Sequence, residues 1–357
     1  MGDEPGARLE LSREQILAFR RRTQGLDVRL PAGSESLRQA AWAGCQDSVP
    51  RSALHSLHAR VEGVAPDAWE DPTLVQVWGL RYAAYVVPGG EHAYFTVSRL
   101  PERGPLRERA DDIAARLADF VGDRRVDARE AAAGIGIHPN AIRYAAPTGA
   151  LLIRWDGARQ PTVWFVPRPE IEPFDARLEL ARRYLRMLGP GTPAGFSQWA
   201  GIRMPRVRPV FEALRTSLVP VRIPGGEAFL LEEDVDSARS ESEPAPARLL
   251  PSGDVFYLVH GPARAVVVPD PEHRAALWPS RVWPGAVLVE GDIVGIWRRS
   301  GGVVTVEPWR RLTKAQRVAV EAEAASLPLP DGPATPTVRW AGPAASSDRT
   351  ASPRRSG

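Results

Sequence analysis

One rhythm repeats three times in the first 235 residues of this chain, and it limits the possible folds more than any other feature. Each copy opens with an amphipathic helix, continues with a shorter helix and a turn, adds a helical or linking segment, and closes on a two-strand pattern. In the first copy LSREQILAFRRRTQGL has apolar residues at helical spacing, with Ser12 as N-cap and Gly25 as stop. SLRQAAWAGC and PRSALHSLHARV follow, then the strand-like RYAAYVVP and HAYFTVSRL around Gly89-Gly90. The second copy runs ADDIAARLADFVG, DAREAAAGIGI, a short linking segment, and LLIRWDGARQPTVWFVP, where Asp156-Gly157 between apolar runs signals a hairpin. ARLELARRYLRMLG, TPAGFSQWAGI, MPRVRPVFEALRTS and VPVRIPGGEAFLLEE make the third, with Gly225-Gly226 at the hairpin tip.

Helix, helix, recognition helix and hairpin is the winged-helix plan, a helix-turn-helix variant. Its recurrence predicts an α+β chain of three tandem winged-helix units, at residues 1–100, 101–172 and 173–235. The polar stretch 236–248, DSARSESEPAPAR, reads as an exposed linker. A β-rich C-terminal domain is expected over 249–327, with strands in DVFYLVH, ARAVVVP, GAVLVEGDIVGIWRR and VVTVEPWRRL and a hairpin corner at Glu290-Gly291-Asp292. A last helix, TKAQRVAVEAEAASL, precedes a Pro/Ala/Ser/Arg-rich tail at 328–357 that is predicted to be disordered.

Composition narrows the chemistry. Cys45 is the only cysteine, which excludes an intramolecular disulfide and a cysteine-based zinc site. No apolar run is long enough to span a membrane, and MGDEPGARLE lacks a signal-peptide pattern, so a cytoplasmic, nucleoid-associated protein is expected. Lys314 is the only lysine. Lysine Schiff-base chemistry is therefore disfavoured, while the many arginines offer permanently charged forks suited to phosphate and guanine edges. A net charge of +3 permits nucleic-acid binding without showing it. GIGI at 134–137 does not precede a phosphate-binding helix, and Gly-Lys-Ser/Thr, Ser-x-x-Lys and HExxH motifs are absent, so no metal or nucleotide cofactor is expected.

The corner Gln46-Asp47-Ser48 has two readings on its residues alone. A glutamine, a carboxylate and a hydroxyl in a row suit the holding of a water molecule. They suit helix capping equally: Ser48 stands just before Val49-Pro50, where an N-cap belongs, and Asp47 favours the positive end of the helix dipole.

Several separated segments resemble, in order and spacing, the AlkZ-like winged-helix proteins, which include the YcaQ-type DNA glycosylases. These are PRSALHSLHARV, LVQVWGLRYAAYVVP, AAPTGALLIRWDG, LARRYLRMLGPGTPAGFSQWAGI, VPDPEHRAALWP and AVLVEGDIVGIWRR. The resemblance covers roughly residues 11–327 and implies a channel for duplex DNA, the expected partner of a monomer. It also implies excision of alkylated bases, with a Gln-x-Gln motif positioning the attacking water. Laid over this chain without a gap, the motif falls on Gln46 and Ser48, with Asp47 between, so half of it departs. The catalytic candidates are Gln46, Asp47 and Ser48, and the alternative is a non-catalytic DNA-binding, regulatory or lesion-shielding protein.

The expected recognition helix would present Arg51, His55, His58 and Arg60 to DNA or to the cleft. His55 and His58 share a helix face, but no third ligand follows at metal-site spacing. Arg143, Tyr144, Arg154 and Trp155 flank the second wing, and Arg203, Arg206, Arg208 and Arg215 surround the third helix-turn-helix as a phosphate-contacting stripe. The loop histidines His138 and His260 are candidates for lesion contacts without a spacing argument.

Overall fold

The computed structural model describes residues 9–157, 160–240, 245–330 and 335–342. After β1 (Leu9–Glu10), α1 (Arg13–Thr23) begins with the cap expected at Ser12. The Ser12 hydroxyl accepts from the Gln15 amide at 3.2 Å, and Gln15 Oε1 accepts from the Ser12 amide at 2.9 Å. Next come α2 (Ser34–Ala40), β2 (Cys45–Gln46), α3 (Ser52–His58) and the pair β3 (Leu74–Trp78) and β4 (Ala84–Pro88). That hairpin turns at residues 79–83, not at Gly89-Gly90. HAYFTVSRL, expected as a strand, is helical instead, with α4 (His92–Thr96) running into a 3-10 turn. Ala93 and Val97, four apart, pack together on Ala176, and this tertiary contact outweighs the β propensity of the aromatic and branched residues around them.

The second unit comprises α5 (Pro105–Val121), β5 (Val126–Asp127), α6 (Ala128–Gly134), a 3-10 segment Pro139–Thr148, β6 (Leu151–Arg154) and β7 (Thr162–Phe165). Ile113, Ala114, Leu117 and Val121 line one face of α5 and bury it against Ile142, Leu151 and Val163. The hairpins of the first two units join through Gln76 and Ile153, making one sheet in the order β2-β4-β3-β6-β7-β5.

In the third unit α7 (Pro173–Leu188), α8 (Pro193–Ala200) and α9 (Met204–Ala213) precede the hairpin β8 (Leu218–Ile223) and β9 (Gly226–Leu231). β1 completes this sheet in parallel with β8. α1 follows β1 there: Ile16 and Phe19 pack on Val221, Ala228 and Leu230. The buried Arg20 guanidinium donates to the Leu188 and Gly189 carbonyls at 2.7 and 3.0 Å. The helix expected to start the first unit therefore packs on the third.

The stretch expected as an exposed linker starts with α10 (Val235–Arg239), whose Ala238 is buried with Ile16 and Phe19; residues 241–244 lie outside the described residues. Beyond β10 (Arg248–Leu250), DVFYLVH and ARAVVVP were expected to be strands. The first contains a 3-10 turn, Val255–Tyr257, because Asp254 caps the Phe256 amide at 3.0 Å. The second contains α11 (Ala263–Val267). α12 (Pro271–Leu277) leads to β11 (Gly285–Val289) and β12 (Asp292–Ser300), which meet at the Glu290-Gly291 corner as the sequence indicates. β13 (Val303–Pro308) and α13 (Lys314–Ala325) follow. Part of the expected tail is ordered: β14 (Thr337–Trp340) pairs in parallel with β13, and Trp340 donates to Glu321 at 2.7 Å. Residues 331–334 and 343–357 of that tail are outside the described residues.

The units are not separate beads. Val77, Leu80 and Tyr85 of the first hairpin share one core with Phe196 and Trp199 of α8 and with the run Val255–Val259. Shared burial of this kind fixes the first hairpin, the third unit and the C-terminal domain relative to one another. No helix among the described residues is long and apolar enough to cross a membrane.

Candidate functional site

α3, read from the sequence as a recognition helix, is buried along its whole length. His58 is 4% exposed; its Nε2 contacts Arg29 Nη2 at 3.2 Å and Ser326 Oγ at 3.1 Å. Arg29 in turn forks onto Glu323 of α13 at 2.7 and 2.8 Å. Burial pushes the His58 imidazole down to about 3 and that of His55 to about 4, so both are neutral at physiological pH. Arg60 pairs with Asp254 at 2.7 and 2.9 Å, and Ser56 donates to the same carboxylate at 2.8 Å. The polar face expected to meet DNA thus holds the C-terminal domain in place. His58 and Arg60 are engaged inside the protein, whereas His55, equally buried, leaves its Nε2 without a hydrogen-bond partner.

The corner before α3 divides by role. Asp47, one of the catalytic candidates, is 1% exposed and turned away from solvent. Its Oδ1 accepts from the Ala53 amide at 3.0 Å and its Oδ2 from Gln76 Nε2 at 2.8 Å, with Arg51 Nη1 at 3.8 Å. It does the capping that the sequence suggested for Ser48. Burial raises its carboxyl to about 7 despite these donors. Ser48 is exposed and lines a cavity of about 380 Å³ with Trp78, Tyr82, Asn140, Arg143 and Trp155.

Gln46, at the end of β2, is held from one side. Its Oε1 accepts from the Tyr85 hydroxyl at 3.2 Å and from Arg81 Nη2 at 3.4 Å, which occupies both amide lone pairs. Among the described residues no hydrogen bond engages its Nε2. Gly253 lets the backbone come close there, since a Cβ at that position would sit 3.1 Å from Gln46 Nε2. Arg81 and Tyr82 have φ of 54° and 60°, a left-handed pair in which neither residue is glycine. This places Arg81 between Gln46 and His260, whose Nε2 accepts from Arg81 Nη1. Burial, with Arg81 and Arg264 adding to it, pushes His260 down to about 4, so it faces Arg81 as a neutral acceptor. A side chain at Gly201, in the α8–α9 turn, would meet Arg81 Cγ at 2.8 Å, so the third unit also closes on this point.

The sequence profile described as DNA glycosylase AlkZ-like matches residues 40–328. The chain belongs to the AlkZ-like DNA glycosylase family. An interstrand DNA cross-link repair glycosylase from Streptomyces sahachiroi is 30% identical over 165 residues, which cover 45% of this chain and 44% of that protein. The alignment thus spans less than half of that relative. The solved structure of Streptomyces sahachiroi DNA glycosylase AlkZ superposes with a TM-score of 0.77 at 20% identity, covering 93% of this chain and 100% of that one. The mixed α+β fold is therefore common to both.

In this AlkZ-like chain the arginines singled out from sequence separate by environment. Arg51 lies over Trp69 at 3.8 Å and donates to the Trp155 carbonyl at 3.3 Å; its left-handed backbone, φ 68°, precedes α3. Arg154 is paired with Glu70 and lies 4.5 Å over the same Trp69. Arg206 is half-buried and donates to the Arg99 carbonyl at 2.9 Å, while Arg215 pairs with Glu212 at 3.1 Å. Arg143 is braced against Asn140 at the rim of the Ser48 cavity, and Arg203 and Arg208 are exposed on α9 and its N-terminal cap. Sequence reasoning did not pick Arg81 or Tyr85 as site residues, although both lie in the family-like segment LVQVWGLRYAAYVVP. Among the described residues no cluster of three or more His, Cys, Asp or Glu has the arrangement of a metal site.

Proposed function

We propose that this AlkZ-like chain binds duplex DNA as a monomer and hydrolyses the N-glycosidic bond of alkylated purine nucleotides without metal or cofactor. In this reading its three helix-plus-hairpin units act as tandem winged helices. Arg143, Arg203 and Arg208 contact phosphates, and Gln46 with Ser48 holds the attacking water. The observation that carries the reading is the fixed amide of Gln46, anchored by Tyr85 and Arg81 two residues from an exposed hydroxyl in a cavity. Because Oε1 is occupied, the water is held through Nε2–H donating to one of its lone pairs, with Ser48 Oγ accepting one of its hydrogens. The second lone pair then attacks the sugar.

An N7-alkylated purine is already cationic, so the C1′–N9 bond breaks with its electron pair passing to the base and needs little acid catalysis. Water oxygen bonds to C1′ of the oxocarbenium ion and its surplus proton leaves to solvent. One observation favours a second reading, a DNA-binding protein without catalysis. Asp47 is sequestered as a cap, and the charge next to Gln46 is the cation Arg81, which does not stabilise an oxocarbenium ion.

Single-turnover release of base from duplex DNA carrying N7-alkylguanine, corrected by a heat-only control, separates the two. Release by the wild type that falls at least about tenfold in Gln46→Ala supports hydrolysis, since tenfold is ~1.4 kcal/mol of barrier. Release no faster than the control, with salt-sensitive DNA binding intact, supports the binding protein.

A further inference from the structure

A second cavity, of about 260 Å³, is lined by Pro50 and the start of α3 and by residues of the C-terminal sheet. Its two walls continue from the contact that holds Gln46. Gln46 leads through the corner to Pro50 on one wall, and Gly253, which approaches the Gln46 amide, leads back to Pro251 on the other. Trp283 and Trp297 give the lining its aromatic part, Ser52 and Ser252 add hydroxyls, and the exposed Arg298 and Arg299 are also among the lining residues.

One buried polar atom in this lining has no partner. His55 is 4% exposed and lines the cavity, yet its Nε2 has no hydrogen-bond partner. In the neutral ring Nε2 is a buried hydrogen-bonding atom with nothing to bond. Buried polar groups are normally satisfied by protein, water or ligand. The ring also stands 5.9 Å from Trp297, centroid to centroid, which makes the surroundings suited to a flat molecule.

We propose that this cavity is a nucleobase site, taking the purine of a nucleotide whose sugar stands at Gln46. The inference rests on the proposed DNA chemistry and adds to it where the base goes and what reads it. Three features select that ligand class. The volume is below the roughly 300–1,000 Å³ typical of sites for drug-sized ligands, and so fits a single fused ring system. Trp283 and Trp297 supply flat apolar surface. His55 Nε2 accepts from an edge N–H, which every purine base with an amino or imino group provides. Arg299 then lies where a flanking phosphate would pass.

The test uses free 7-methylguanine and the full-length protein in equilibrium dialysis, without DNA. Wild type should bind the base. His55→Phe, which keeps a ring but removes the acceptor, should weaken binding at least about tenfold. Val282→Trp, at a position of the cavity lining that is 66% exposed, should weaken it likewise by filling the entrance. If His55→Phe fails to fold, Val282→Trp decides alone. No binding by the wild type, or unaltered binding by either folded variant, overturns the site. Because the free base has no glycosidic bond, this result is independent of hydrolysis. Binding without base release from DNA would reject the hydrolase and leave the nucleobase site standing.

Discussion

Asp47 Oδ2 accepts the side-chain amide of Gln76 at 2.8 Å, and the same amide uses its oxygen to accept from the Trp155 backbone at 2.6 Å. The candidate corner, the first hairpin and the second hairpin are thereby tied through one buried glutamine. A residue that looks catalytic in the sequence is the anchor of this arrangement, and its removal should be read in stability before activity.

Asp47→Ala leaves the Ala53 N–H and the Gln76 amide without their acceptor, and should cost about 1–3 kcal/mol in urea unfolding. The pH dependence is diagnostic. In the folded protein Asp47 keeps its proton up to about 7, against about 3.9 unfolded, so its contribution to stability falls as pH rises across that window. His55, His58 and His260 act oppositely. They stay neutral when folded but take protons below about 6.5 when unfolded, so their contribution is lost as pH falls from there toward 4. Asp47→Asn removes the first contribution and keeps the second. The variant should lose more stability than wild type between pH 7.5 and pH 5, and parallel losses would show that Asp47 is ionised throughout.

Tyr85→Phe removes one of the two donors on Gln46 Oε1 and leaves the buried ring in place. If Gln46 positions water, base release should slow by several fold, corresponding to about 1 kcal/mol for one hydrogen bond, with little change in melting temperature. An unchanged rate in a protein that releases base would mean that the amide needs no such brace.

Arg203→Ala and Arg208→Ala should each lower the salt slope of duplex binding by about one, the mark of a lost phosphate contact. Arg51→Ala should leave the slope intact and reduce stability, because Arg51 is engaged with Trp69 and Trp155. A slope that drops for Arg51→Ala but not for the α9 variants would move the DNA path to the other side of the second hairpin.

Breaking the buried pair Arg60–Asp254 tests how α3 carries the C-terminal domain. Arg60→Met strands a carboxylate that is 1% exposed and should cost about 3–5 kcal/mol, whereas Arg60→Met with Asp254→Leu should recover much of that loss. Equal destabilisation by the single and double variants would show that packing, and not the charge pair, dominates at this contact.

What the sequence disclosed follows the range of the interactions. The capping box at Ser12, the helix entered at Thr313, and the hairpin corners at Asp156-Gly157 and Glu290-Gly291 are decided by residues a few positions apart. DVFYLVH and ARAVVVP are short apolar runs with no period to separate strand from helix, and their neighbours in the core decided the outcome. α3 was misread for a different reason. Its polar face is matched by Asp254, 194 positions from Arg60, and by Ser326, 268 positions from His58, so nothing local distinguishes it from a solvent-facing helix. Gln46 was visible through family resemblance, but Arg81 reaches it from 35 positions away and is itself met by His260 across 179.

The pairing of β1 with β8 sets Leu9 beside Val221. During synthesis the strand β1 and α1 therefore emerge long before the surface they pack on, which is complete only when Val266 of α11 has left the ribosome. Until then Ile16 and Phe19 have no native burial and are exposed to capture by chaperones or by the wrong partner. Closure of so long a loop comes late and slowly. A chain arrested before residue 231 should have a protease-sensitive amino terminus even where its second unit has already become resistant.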